Sequence, residues 1–328
     1  MAVGVFFDGF SSTAEMLEVC REAERAGASS LWFAQHMGYR EAMIWATAAA
    51  SVTQHVTLVP TAISPYLWPP LPIAMAISTL GEFAHGRVIL NVSVGNILNL
   101  GESGVEPVKP IRIMREYVTA LRALWAGKPV TQDAELHKLR GAKMVFDQGH
   151  QYPIYIASTG PQMLKLAGEI ADGVLLSAGL TLTSTRSGLD HAAAGLHAKA
   201  RDPAALRKCS FINFKISHDG AAATAAMLRK LAFLFRSRGH AENIKSSELD
   251  IDHQAIMAAH ARHDFDGAVK LMPEAAANVF AVAGTSTQCR ERLEQYLGAG
   301  LDEPIIEISG NADERKLALD VLRDIARR

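Results

Sequence analysis

The stretch from Val56 to Asn99, VTLVPTAISPYLWPPLPIAMAISTLGEFAHGRVILNVSVGNILN, leaves the chain few ways to fold. Two short apolar, β-branched runs, Val56–Val59 and Val88–Val94, flank a helical pattern from Pro72 to Ala84. Each run breaks into small, loop-forming residues at its C-terminal end. Strand, loop, helix, strand, loop is the βαβ grammar of a parallel sheet. In such folds the working groups sit on the loops that follow the strands. Thr61–Ser64 and Ser93–Asn96 therefore come first in any search for function.

The same grammar repeats along the chain. Strands are expected at Ala2–Phe7, Ser30–Ala34, Val56–Val59, Val88–Val94, Tyr152–Ala157, Gly173–Ser177, Lys208–Ser217 and Pro304–Ser309. Helical patterns lie between them, with capping residues such as Ser11–Thr13 before one and Thr285–Thr287 before another. Lys128–Gln151 has no clean period and reads as an excursion carrying a small hairpin. Residues 239–277 are helical, rich in His and Asp, and read as an insertion between strands seven and eight. Eight strands each followed by a helix predict an α/β fold, a closed (β/α)8 TIM barrel, in one domain spanning 1–328. The first strand–helix turn lacks GxGxxG, which argues against a dinucleotide-binding sheet.

Composition narrows the functional classes. A formal net charge of −1 gives no electrostatic basis for binding nucleic acid or an anionic membrane. The three cysteines, Cys20, Cys209 and Cys289, have no CxxC spacing, which argues against both a zinc site and a disulfide framework. No apolar run reaches the roughly 18 residues of a membrane span, and no basic leader segment precedes the first strand. A soluble, cytoplasmic protein with reduced thiols is expected.

At the strand ends stand Asp8, His36, Thr61–Ser64, Ser93–Asn96, Ser158–Gly160, Ser177–Gly179 and Asn213 with Lys215. They are small residues, hydroxyls and backbone amides, with one histidine. No cluster there suits a metal, and no paired carboxylates suit glycoside chemistry. Room remains for a flat, bulky ligand. In Ser158-Thr159-Gly160-Pro161 a strand ends, hydroxyls follow and a helix begins. That arrangement binds a phosphate at free N–H groups, and it is equally the arrangement of an ordinary N-cap. Ser177, Ala178 and Gly179 follow the adjacent strand. His36 has a near-neutral pKa for moving a proton, or it is a packing histidine. The other histidines read as solvated. Tyr66 and Trp68 either wall a substrate pocket or pack a loop onto the rim.

RVILNVSVGNILN after PTAISPY, with PIYIASTGPQMLKLAGEIADGVLLSAG downstream, resembles the luciferase-like flavin oxidoreductase superfamily. The likeness is to its deazaflavin-dependent methylene-tetrahydromethanopterin reductase branch and to the related sugar-phosphate dehydrogenases. It extends to VKPIRIMREYVTALRALWAGKPV and AGTSTQCRERLEQYLGAGLD. The resemblance implies FMN or the deazaflavin coenzyme F-420 in the barrel mouth. It implies a non-proline cis peptide at Ala62–Ile63, so that Thr61, Ala62 and Ile63 back the ring. Ser93, Gly95 and Asn96 would then flank the ring, and Ser158, Thr159, Gly160, Ser177, Ala178 and Gly179 would hold its phosphate. His36 matches a catalytic histidine of the sugar-phosphate dehydrogenases. It also implies a homodimer, and, for an oxygen-using member, a separate flavin reductase as partner. The chain departs from these relatives at Phe6, Gln35, Asn96 and Leu180, so their substrates do not transfer. The expected activity is an oxidoreductase, by hydride transfer or monooxygenation, on a small organic molecule. The competing expectations are a non-catalytic flavin-binding or dimerisation barrel and, on Lys215, a cofactor-independent lyase.

Overall fold

The computed structural model describes residues 1–147 and 149–328, with the backbone alone at residue 98. Eight parallel strands form one sheet: β1 (Gly4–Phe7), β2 (Ser30–Ala34), β3 (Thr57–Thr61), β4 (Leu90–Val92), β5 (Ile154–Ala157), β6 (Gly173–Leu176), β7 (Arg207–Ile212) and β8 (Glu303–Glu307). Their order is β3-β2-β1-β8-β7-β6-β5-β4. Parallel bridges Leu58–Val88 and Ile63–Val92 bring the third and fourth segments together and close the ring. The expected barrel is present, and each expected strand but the seventh is at its place to within a few residues.

Register and pleat together fix which side chains point inward. Successive side chains alternate across a strand, and Phe6 pairs with Trp32, Trp32 with Val59, and Ile305 with Phe211. Trp32, Val59, Tyr155, Leu175, Cys209 and Ile305 form a separate buried cluster with Phe6 and Phe211 against it. This is the plug inside the barrel. The main core lies outside, between strands and helices.

The helices that matter for the site are α1 (Ala42–Ala50), α2 (Pro70–Phe83), α3 (Pro161–Ile170) and α4 (Gly220–Leu234). The excursion is the hairpin Val130–Asp133 with Lys138–Ala142, as expected. The seventh expected strand is divided. It leaves the barrel after Ile212, and Phe214–Ile216 instead pairs with Val282–Gly284, a strand the sequence pattern did not reveal. The physical reason is the insertion, whose helices pack on α4 around a second core of Met227, Leu231, Phe235, Ile256, Met272 and Phe280. The chain must return from that core before it can rejoin the barrel.

As a result α4 crosses the strand ends. Its Lys230 ion-pairs with Glu307 at the top of β8. A Cβ on Gly179, just beyond β6, would lie 2.6 Å from Leu234 Cδ2. Among the described residues no helix is long and apolar enough to cross a membrane.

Candidate active site at the barrel mouth

Continuing the inward alternation upward leads to Ala34, Thr61, Asn91, Ala157, Phe211 and Glu307, and then to Asp8, His36, Ser93, Ser177 and Asn213. Two alanines leave space where most of the others put polar groups. This is the floor of an open mouth.

His36 is half-buried, with Nδ1 3.0 Å from the Asp8 carbonyl oxygen. A carbonyl only accepts, so Nδ1 carries the proton and Nε2 is left to exchange one. Burial holds the Asp8 carboxyl above its usual range, Phe10 N–H pulls against that, and the Glu307 charge adds to it. Gln35 is directed elsewhere: its Oε1 accepts from Ala42 N at 3.0 Å and starts α1.

Thr61 is buried and its hydroxyl donates to Asn91 Oδ1 at 2.8 Å. The non-proline cis bond is at Thr61–Ala62, one residue before the expected Ala62–Ile63. Ile63 is already back in register with β4, its N–H donating to Asn91 O at 2.9 Å and its carbonyl accepting from Ser93 N at 3.1 Å. Ile63 is thus wholly in the core, and Ala62 is the half-open member of the trio.

On the fourth segment Ser93 Oγ accepts from Gly95 N at 3.0 Å, and Asn96 is exposed. Gly95 has φ +101°, a backbone that favours glycine. On the fifth, Ser158 Oγ accepts from Gly160 N at 3.0 Å. Gly160 is the N-cap of α3, and no side chain caps that end. The first N–H groups of a helix of 10 residues therefore face outward without a protein acceptor, as an anion site requires. Tyr155 pairs with Gly173 and Ala157 with Leu175, so the register carries Thr159 beside Ser177. Ser177 is exposed and Ala178 half-buried. Gly179 is held from the insertion: Asn243 Nδ2 donates to its carbonyl at 2.5 Å while Asn243 Oδ1 accepts from Thr181 N at 3.2 Å.

Other expected positions do different work. Tyr66 donates to the Val108 carbonyl at 2.6 Å and Trp68 packs against the core, so both hold the loop after β3 onto the rim. Lys215 lies on the small sheet and pairs with Glu314 at 3.1 Å. Several histidines expected as solvated are structural. His137 Nε2 lies 2.6 Å from the Pro65 carbonyl, His253 Nε2 2.8 Å from that of Phe235, and His260 Nε2 2.9 Å from that of Ala232.

Asn91 was legible only with the register, whereas Asn213 already stood among the strand-end candidates. Both are buried at inward positions, and among the described residues neither Nδ2 has a hydrogen-bond partner. An unpaired buried donor costs about 1–3 kcal/mol. Both amides are donors waiting for an acceptor in the mouth. Glu307 and Lys230 were also missed, because nothing local announces that α4 turns over the strand ends. Among the described residues no group of three or more His, Cys, Asp or Glu could hold a metal ion.

Comparison with known proteins gives the same picture. Residues 1–303 match the family described as luciferase-like monooxygenase. A 5,10-methylenetetrahydromethanopterin reductase of Methanolobus tindarius is 27% identical over 313 residues, 92% of this chain and 93% of that protein. A glucose-6-phosphate dehydrogenase of Beutenbergia cavernae, described as F420-dependent, is 33% identical over 169 residues, 48% of this chain and 50% of its own. Among solved structures, the coenzyme F420 dependent tetrahydromethanopterin reductase of Methanopyrus kandleri superposes with a TM-score of 0.89 at 23% identity, covering 98% of this chain and 97% of that one.

Proposed function

The chain belongs to the luciferase-like monooxygenase family, and from that premise we propose that it is an oxidoreductase that binds FMN or the deazaflavin coenzyme F-420 in the barrel mouth and acts on a small organic substrate. The observation that carries this reading is the pair of orphaned donors, Asn91 Nδ2 and Asn213 Nδ2, on a floor where Ala34 and Ala157 leave space. A tricyclic ring with a carbonyl-bearing edge supplies the acceptors those donors lack, and it fills the space above Ala34 and Ala157. The uncapped start of α3, with the Ser158, Thr159 and Ser177 hydroxyls, suits the phosphate of either cofactor.

The bound ring supplies the two-electron chemistry, as hydride transfer or, for FMN, monooxygenation. The protein supplies orientation and protons. Ala62 and the turn at Ser93–Asn96 flank the ring. Nε2 of His36 moves a proton to or from the substrate, with its tautomer held by the Asp8 carbonyl. Tyr66 and Trp68 act on the substrate through the loop they hold. Residues 1–328 work as one unit.

Three further features belong to this reading. We place the protein in the cytoplasm, where three buried, unpaired thiols stay reduced. A monooxygenase of this kind takes its reduced FMN from a separate flavin reductase. It is a homodimer through α1 and α2, which border an apolar groove of about 580 Å³. None of the nine groove residues is charged, so two copies of this face meet without charge conflict. Ile44 and Phe83, 69% and 53% exposed, are the side chains such a contact would cover. Ile44→Asp is expected to convert a dimer to a monomer in sedimentation velocity.

The deciding experiment is spectral titration of the purified protein with FMN and with coenzyme F-420, each oxidised and reduced. Tight binding of one supports the reading and selects the cofactor. Binding of neither overturns it.

A further inference from the structure

One edge of the mouth is built for something other than the ring. Phe10 follows β1 and Tyr39 follows β2, and their rings meet edge to face at 4.6 Å. The far end of α4 brings Phe233 and, just beyond the helix, Arg236. The Arg236 guanidinium carbon sits 3.6 Å from the Phe233 ring centroid, and Arg236 lies within electrostatic reach of Tyr39. Tyr39 in turn stands edge-on to His36 at 6.2 Å. Two other residues of α4 anchor this arrangement over the strand ends, Lys230 on Glu307 and Leu234 beside Gly179.

The three aromatic side chains remain largely open: Phe10 is 61%, Tyr39 50% and Phe233 55% exposed. A single exposed aromatic is ordinary, but two such pairs, Phe10 with Tyr39 and Phe233 with Arg236, make a surface that a ligand covers. Among the described residues Arg236 makes no ion pair, and its one side-chain hydrogen bond sends NH1 to the Phe233 carbonyl at 2.7 Å. Packing against the ring removes part of its hydration and lowers its pKa. The nearby carboxylates are engaged, Glu307 by Lys230 and Asp8 by Phe10 N–H at 2.9 Å. The rest of the fork is available to an incoming anion.

We propose that Phe10, Tyr39, Phe233 and Arg236 form the substrate subsite, and that the substrate is a planar, largely apolar molecule carrying a carboxylate. This rests on the cofactor reading above and names the substrate class for that site. The aromatic residues cover the planar body, Arg236 takes the carboxylate in bidentate fashion, and the body lies beside His36, the proton-moving group.

The test uses the full-length protein with 2-naphthoate and its neutral isostere 2-naphthamide as probes, followed by calorimetry. The naphthoate is expected to bind at least tenfold tighter than the amide. Arg236→Gln should abolish that preference, Arg236→Lys should restore part of it, and Phe233→Ala should weaken both probes about tenfold. FMN and coenzyme F-420 affinities should change less than twofold in Arg236→Gln, and naphthoate should still bind the cofactor-saturated protein. Equal affinity of the wild type for the two probes overturns the proposal. So does a loss of cofactor affinity in Arg236→Gln with the anion preference intact, which would make Arg236 part of the cofactor site. Anion preference that persists in a protein binding neither cofactor overturns the cofactor reading and leaves the subsite standing. Thermal unfolding of each variant separates a folding defect from a binding one.

Discussion

The two ends of the barrel interior use polar groups in opposite ways. At the bottom, Glu303 is buried and fully engaged. The hydroxyls of Ser29 and Ser30 both donate to its Oε1 at 2.5 Å, and Arg207 NH2 stands 3.5 Å from its Oε2. Trp32 Nε1 extends the network by donating to Ser30 Oγ at 2.6 Å. At the top, Asn91 and Asn213 are buried with unpaired donors, and the α3 N-terminus is uncapped. A closed network that satisfies itself stabilises a fold, while an incomplete one is tolerated where a ligand completes it. The polar bottom is therefore architecture and the polar mouth is a site, although both lie on the same strands.

The largest expected effect belongs to the bottom. Glu303→Ala leaves the buried Ser30 hydroxyl, the half-buried Ser29 hydroxyl and an arginine without their acceptor, and should lower unfolding free energy by about 3 kcal/mol. Urea denaturation of the cofactor-free protein measures this. A loss under 1 kcal/mol would mean that the bottom network is as dispensable as the mouth. Next, His36→Ala should cut turnover by about 10²-fold or more with little change in unfolding midpoint. An equal fall in stability would move His36 from the site to the scaffold. Third, Asn213→Leu should weaken cofactor binding by about tenfold, the loss of roughly one hydrogen bond. The apo protein should be unchanged or slightly more stable, because an unpaired buried donor is gone. If the apo protein is instead destabilised, Asn213 belongs with Glu303 in kind.

What the sequence made legible follows this division. The strands announce themselves through β-branched runs, and a closed barrel follows from their number and alternation with helices. The loops after β5 and β6 were readable because hydroxyl, glycine and proline at a helix start have a local meaning. Asn91 was hidden inside an apolar run, RVILNVS, where only the pairing register shows that it points inward. Glu307 and Lys230 lie 77 residues apart, and no local pattern connects them. The division of the seventh strand was invisible for the same reason: Val282–Gly284 is three residues long and depends on a partner far away in sequence. The displaced cis bond shows the limit of reading by resemblance. It is fixed by where Ile63 regains its pairing with β4, and that is a property of the register.

The smallest expected effect concerns what holds the mouth's outer wall. His260 donates to the Ala232 carbonyl in α4 and His253 to that of Phe235 just beyond it, and the His240 ring packs 5.6 Å from that of Phe235. Burial, with the charges of His253 and Arg236, lowers His240 from its ordinary 6.5 to about 4. The folded protein thus keeps His240 neutral where the unfolded chain protonates it. Stability from this residue is complete above about pH 6.5 and is lost as pH falls toward 4. By pH 5.5 the loss should reach about 1 kcal/mol. It should be confined to α4 and the insertion, because Glu303 and its partners lie at the far end of the barrel. Hydrogen exchange, corrected for intrinsic rate, should show residues 220–280 opening faster at pH 5.5 than at pH 7.5 while β1, β2 and β8 hold. His240→Asn should flatten that difference. If the variant keeps the same pH response, the wall is released by another group, and the contrast between a self-sufficient bottom and a conditional mouth does not extend to α4.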